Sequence, residues 1–171
     1  MMKKLWTILL TGMAMLFGCT IQASAANVRL YDEANYLPED AYNTCLEYLQ
    51  DASDQTGMNI AVVLGKQRRS EYAIENLADE TYDQMFGKNT DGLLYYMDLS
   101  GAEHPYDYIS TSGMGQFYYS DGDMDNRIDQ IFDHVFPYLP AGNENVVKAI
   151  EVLSEDVVYF YEIEVEMFRY D

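Results

Sequence analysis

The spacing of apolar residues predicts four amphipathic helices. In one of them the apolar face recurs every three or four residues at Leu37, Ala41, Cys45, Leu49 and Ala52. Pro38 followed by two acids is typical of a helix start, and Gly57 of a left-handed cap at the end. By the same criteria, the predicted helices cover residues 38–56, 70–86, about 123–137 and about 144–169.

Short β-branched and aromatic runs lie between these helices and predict strands. They cover residues 28–31, 58–64, 93–99 and 106–111. The last two are separated by six residues, which indicates an antiparallel hairpin, whereas the others are connected through helices. Strands that alternate with long helices are typical of an α/β layer fold, here with a mixed sheet of about four strands.

The first 25 residues carry a different pattern. Lys3 and Lys4 precede an apolar run, and Ala23-Ser24-Ala25 provides the small residues at which a signal peptidase cuts. We therefore expect residues 1–25 to be a signal peptide and 26–171 to be a single domain, exported to the cell surface or the medium. The alternative is cleavage before Cys19 with attachment of a lipid, as in bacterial lipoproteins.

The charge of the chain narrows the possible partners. It has 29 acidic and 10 basic side chains, for a formal net charge of −19. Nucleic acids and anionic membranes are bound through clustered Lys and Arg, so neither is an expected partner. Cations and basic partners fit this charge better. Beyond the signal peptide we expect no segment that spans a membrane.

Cysteine chemistry is limited by the count of two. If residues 1–25 are removed, Cys45 is the remaining cysteine, which excludes an intramolecular disulfide and a cysteine zinc cluster. Cys45 lies on the apolar helical face described above. We therefore expect it to pack in the core rather than act as a nucleophile.

The stretch Ser120–Asp129, SDGDMDNRID, places three carboxylates at alternate positions. Counted from Asp121, it fails as an EF-hand loop because position 6 is Asn126 instead of glycine and position 12 is Phe132 instead of an acid. One reading is that Asp121 or Asp123 caps the helix that follows, the other acids being solvated. The other is that a divalent cation relieves the repulsion between these acids.

Other catalytic and nucleotide motifs are weak or missing. Gly113-Met-Gly115 lacks the third glycine and the lysine of phosphate-binding loops, so its expected role is to let the chain leave a strand. The sequence has no G-x-S-x-G, and its two histidines, His104 and His134, are not clustered. Oxygen ligands remain: Asp32, Asp91 and the hydroxyls of 110–112, with Asp121 and Asp123 nearby in sequence, could hold Ca²⁺ or Mg²⁺ if their loops meet at one end of the sheet.

Several segments in order resemble the TPM domain family. They are Asp32-Glu-Ala with Leu37, TGMNIAVV ending at Val63, Thr90-Asp-Gly-Leu-Leu94, and ISTSGMG followed by Asp121, with Ile128, Ile131 and Pro137 continuing the match. The resemblance covers about 28–149 and implies a three-layer α-β-α sandwich. It also implies links to divalent metal binding, phosphatase activity and maintenance of envelope or membrane proteins, with Asp32, Asp91 and Asp121 as the matched acids. Asp123 is added from the local sequence.

Two functions follow as hypotheses. The first is an exported domain that binds Ca²⁺ or Mg²⁺ through Asp32, Asp91, Asp121 and Asp123 and acts as an accessory or binding module at the cell envelope, with an envelope or membrane protein as a further partner. The second is a weak metal-assisted acid phosphatase. The acidic charge and the lack of a clear nucleophile disfavour it, and only Arg68 and Arg69 could clamp a phosphate. A third reading makes all these aspartates solvated surface.

Overall fold

The fold is described from a computed structural model that covers residues 26–33, 35–120, 126–139, 145–167 and 169. Its strands are β1 (Val28–Asp32), β2 (Asn59–Gly65), β3 (Gly92–Asp98) and β4 (Tyr108–Ser112). Its helices are α1 (Glu39–Thr56), α2 (Glu71–Phe86), α3 (Met114–Tyr119), α4 (Arg127–Val135) and α5 (Val146–Met167), with a 3₁₀ turn at Phe136–Tyr138.

The strands form one mixed sheet in the order β1-β2-β3-β4. β1, β2 and β3 are parallel, and β4 returns antiparallel to β3, with Tyr95 opposite Ile109. The predicted α/β class and hairpin are therefore confirmed. The connection 99–107 is longer than the six residues predicted, because β3 ends at Asp98 and β4 begins at Tyr108.

Helices cover both faces of the sheet, which gives the three-layer α-β-α arrangement. Every residue of β3 is buried, and alternate side chains point to opposite faces. Leu93, Tyr95 and Met97 join the larger core with α1, α4 and α5, whereas Leu94 and Tyr96 join the smaller core under α2. Cys45 is fully buried in the larger core, as expected, and burial raises the pKa of its thiol to about 11.

The predicted helix ends agree with the structure at α1 and α2 but not at α4. Gly57 adopts the left-handed conformation after α1, and Ser70 accepts a hydrogen bond from the Ala73 N–H at the start of α2. At α4 the cap is Asn126, whose Oδ1 accepts from the Ile128 N–H at 3.2 Å. The expectation that Asp121 or Asp123 caps this helix is therefore wrong. The short helix α3 was not predicted, because Gly113 and Gly115 obscure its apolar period.

A buried ion pair fixes the start of α4. The guanidinium of Arg127 donates to the Glu164 carboxylate on α5 and to the Tyr118 carbonyl oxygen at 2.6 Å. The two charged side chains are only 12% and 8% exposed. Since Tyr118 lies on α3, this one arginine ties α3, α4 and α5 together and fixes the positions between which residues 121–125 run.

Two carboxylates, the buried Asp98 and the half-buried Asp107, organise the connection from β3 to β4. The Asp98 carboxylate accepts from the N–H groups of Ser100 and Tyr106, at 3.0 and 3.1 Å. Asp107 accepts from the Asp98 N–H at 2.9 Å and from the Tyr95 hydroxyl at 2.8 Å. Burial raises the pKa of Asp107 to about 6, although these two hydrogen bonds act in the opposite direction.

Loss of Glu164 should be costly because it leaves the Arg127 charge buried without its partner. We expect Glu164→Ala to lower the free energy of unfolding by about 3 kcal/mol in a urea titration. The double variant Arg127→Met/Glu164→Leu should recover much of that loss, since it buries no charge. The control is Glu151→Ala, which removes the more exposed pair with Lys148 and should cost much less. Equal losses from Glu164→Ala and Glu151→Ala would contradict this account.

Asp107 should make stability depend on pH in a direction opposite to that of most carboxylates. Because its pKa is raised from 3.8 to about 6 on folding, its stabilising contribution is complete below pH ~4 and is lost as pH rises through 6. The loss between pH ~4 and pH ~7 is on the order of 3 kcal/mol. Relative to wild type, Asp107→Asn should therefore gain stability across this range, measured by urea unfolding at each pH. Parallel pH profiles of the two proteins would contradict the assignment.

Candidate functional site

Asp91 lies just before β3 and is fixed through both its side chain and its backbone. Its Oδ1 accepts from the Met114 N–H at 2.8 Å, which caps α3. Its carbonyl oxygen accepts from the backbone N–H of Asn59 at 2.9 Å and from the Asn59 side-chain amide at 3.1 Å. An exposed carboxylate is thus held in one orientation beside the turn that follows β4.

Gly113 makes this contact possible. Its φ is +55°, and a Cβ at this position would lie 2.3 Å from Asp91 Oδ1. Gly115 allows a second close approach, since its Cβ would lie 2.2 Å from the carbonyl oxygen of Gly92. The glycines therefore pack α3 against the start of β3, and Gly113 lets the chain leave β4 as the sequence indicated.

Asp32 lies at the opposite end of the parallel strands from Asp91. It is in register with Leu64 of β2, which pairs with Met97 at the far end of β3. Six residues of strand separate Met97 from Asp91, or roughly 20 Å. Two ligands of one Ca²⁺ each lie about 2.3 to 2.6 Å from the ion. The expectation that the loops of Asp32 and Asp91 meet is therefore wrong, because parallel pairing places the end of β1 and the start of β3 at opposite ends of the strands.

The local role of Asp32 is to order the chain before α1. Its Oδ2 accepts from the Leu37 N–H at 2.9 Å. The next residue, Glu33, pairs with Arg69 at 3.3 Å.

Asp121 and Asp123 lie outside the described residues, but the residue that precedes them is placed. The Ser120 hydroxyl is 3.0 Å from that of Thr111, and Thr111 pairs with Leu93 near the start of β3. Ser120, at the end of α3, therefore lies beside the part of β4 that pairs with the start of β3, near Asp91. Within the described ranges, no three His, Cys, Asp or Glu side chains form a group that could hold a metal ion.

A groove of about 640 Å³ runs along β4. All five residues of β4 line it. One wall includes Asp79 and Asp83 of α2, and the other includes Ile128 and Phe132 of α4. Sequence reasoning missed the two acids on α2, although their spacing of four residues on a helix indicates a shared face.

One of the two arginines after the first core strand is engaged within the fold, whereas Arg68 is exposed. Arg69, one of the two candidate phosphate clamps, donates to the Glu33 carboxylate and to the Tyr96 hydroxyl. Burial lowers the pKa of the Arg69 guanidinium, but the hydrogen bonds with Glu33 raise it, and the net shift is upward. His134 lies 3.0 Å from Asp156 through Nδ1, and its side chain is 54% exposed.

Among the described residues, no helix has the length and apolar character needed to cross a membrane.

Raised pKa values also occur at several tyrosines, with burial as the main cause. Tyr95 is the clearest, since burial and the neighbouring Asp107 carboxylate both raise its pKa.

Comparison with known proteins agrees with this architecture. The structure is similar to the solution NMR structure of the N-terminal domain of cg2496 from Corynebacterium glutamicum, with 16% identity, a TM-score of 0.53, and coverage of 90% of this chain and 86% of that one. It is also similar to the solution NMR structure of an N-terminal domain from P. gingivalis, with 18% identity, a TM-score of 0.52, and coverage of 78% and 80%. At these identities the likeness establishes the fold alone.

No curated protein matches the sequence. A family model described as the TPM domain matches residues 30–154, close to the span over which the sequence motifs run. This chain therefore belongs to the TPM domain family.

Proposed function

We propose that this TPM domain binds a divalent cation, Ca²⁺ or Mg²⁺, where the start of β3 meets the turn after β4. The carrying observation is the Asp91 carboxylate, which the Met114 N–H orients at 2.8 Å beside the start of α3, the short helix that Asp121 and Asp123 follow in sequence. A carboxylate already fixed in position loses little side-chain entropy when it becomes a ligand.

The geometry supports a smaller ligand set than the sequence suggested. Asp91, Asp121 and Asp123 are the proposed ligands. Asp32 lies outside the set because it is at the other end of the parallel strands. Hard divalent cations prefer carboxylate and carbonyl oxygens, which this region of the chain supplies. The net charge of −19 raises the local concentration of cations around the whole protein.

We further propose that the domain works as an exported accessory module at the cell envelope, with an envelope or membrane protein as its partner. This proposal depends on the signal-like pattern of residues 1–25, which lie outside the described residues. The phosphatase alternative has less support, because the Arg69 guanidinium, a candidate phosphate clamp, is bound by Glu33 and Tyr96.

Calorimetric titration with Ca²⁺ and with Mg²⁺ tests the cation site. Asp91→Asn and Asp121→Asn should each weaken binding about tenfold or more, since each removes a charged ligand. Asn at position 91 retains an oxygen that can accept from the Met114 N–H, so the fold should survive. Asp32→Asn is the matched control, with the same change of charge and unchanged affinity.

A thermal shift provides a second readout of the same site. Metal at about 100 times its Kd should add about 2.7 kcal/mol of stability, or roughly 5 to 10 °C in Tm. No heat and no shift at millimolar metal would refute the proposal, and an equal loss in Asp32→Asn would refute the ligand set. With a generic phosphomonoester we expect no hydrolysis above the blank; hydrolysis that Asp121→Asn abolishes would favour the phosphatase instead.

Membrane fractionation tests the proposed route of export. If residues 1–25 are a cleaved signal peptide, wild type and Cys19→Ala should both be released in a form that begins near residue 26. Release of the Cys19→Ala protein alone, with wild type kept in the membrane fraction, would establish the lipoprotein alternative.

A further inference from the structure

The sheet has two edge strands, and they differ in how well they are protected against pairing with another chain. β1 carries Arg29 and Asp32, charged residues of the kind that discourage pairing at an edge. β4 is Tyr-Ile-Ser-Thr-Ser and has neither a charge nor a proline. Its register with β3 is continuous over five pairs, so no bulge twists it away. Among the described residues, the outer edge of β4 therefore offers backbone donors and acceptors at regular spacing, of which the Thr111 carbonyl oxygen has one partner, the Gln116 side-chain amide at 3.4 Å.

The edge of β4 is the floor of the 640 Å³ groove described above, which makes it a recess instead of an open rim. α2 lies on one face of the sheet and α4 on the other, so each provides one wall. The walls differ in chemistry. Asp79 and Asp83 make the α2 wall acidic, whereas Ile128 and Phe132 make the α4 wall apolar.

The charge of the α2 wall is only weakly compensated within the protein. Lys88 also lines the groove and pairs with Asp83 at 3.9 Å, but its side chain is 82% exposed, exposed pairs of this kind contribute little, and two acids stand against this one base. A third acid on α2, Glu75, accepts a hydrogen bond from the Tyr106 hydroxyl at 2.8 Å, at the end of the groove. Positive side chains of a partner would therefore be attracted along this wall.

We propose that the β4 edge binds an extended segment of another protein in which basic and apolar residues alternate, by addition of a fifth strand to the sheet. In an added strand, successive side chains point to opposite faces. One set would reach the acidic wall of α2 and the other the apolar wall of α4. Backbone hydrogen bonds to β4 provide affinity, and the two walls provide specificity.

A second copy of this chain fits the groove less well. Pairing of β4 with β4 brings no basic residue to Asp79 and Asp83, because the β4 sequence has none. It also brings together two chains that each carry a net charge of −19. Charge complementarity thus selects a basic partner over self-association.

The test uses the acetylated and amidated peptide Lys-Val-Lys-Thr-Lys-Val-Lys and the purified protein in EDTA, so that its outcome is independent of the proposed cation site. We expect saturable shifts in the amide NMR signals of residues 108–112, with slower hydrogen exchange there in the complex. The same peptide N-methylated at alternate residues keeps its charge but loses backbone donors. It should bind about tenfold more weakly or not at all, as should a peptide with Glu in place of Lys.

Variants of the protein locate the site. Asp79→Lys/Asp83→Lys should weaken peptide binding about tenfold or more. The control, Glu47→Lys/Asp51→Lys on the exposed side of α1, makes the same change in net charge and should have little effect. Equal binding of the N-methylated peptide, an equal effect of the α1 variant, or unchanged exchange at 108–112 would each overturn the proposal. A dimer formed through β4 would identify a second copy as the occupant and also overturn it.

Discussion

The structure depends on the burial of the parallel pair β2 and β3 on both faces. Every residue of β3 is buried, as are six of the seven in β2. Backbone polar groups at such positions must pair within the sheet, and both faces need cover by helices. The larger core under α1 and α5 and the smaller core under α2 meet that need.

Parallel pairing also decides which polar residues can cooperate. In a parallel sheet, the residue that ends one strand and the residue that begins another lie at opposite ends of the strands, as Asp32 and Asp91 do. The antiparallel return of β4 brings Ser112 opposite Gly92 and places Gly113 and Met114 against Asp91. Parallel pairing thus separates Asp32 from Asp91, and the antiparallel return of β4 fixes Asp91 beside the start of α3.

The fixed points around that turn come from contacts between elements distant in sequence. Arg127 binds both Glu164 of α5 and the Tyr118 carbonyl of α3, so the two helices that flank residues 121–125 share one buried cation. Asp98 and Asp107 similarly order the connection on the other side of β4. β4 is therefore held at both ends, and within the part of the chain that the structure describes its outer edge faces the groove, which suits the proposed strand addition.

The sequence alone determined the four strands and the helices α1, α2, α4 and α5, because apolar periods of 2 and 3.6 and the caps at Ser70 and Gly57 are local signals. It also determined the family, through the motifs between Asp32 and Pro137 that the match over residues 30–154 supports. Only the tertiary structure decided that Asp32 and Asp91 are far apart and that Asp79 and Asp83 line a groove with β4. Strand order and direction set those distances, and no local pattern of residues encodes at which end of the sheet's strands a loop will lie.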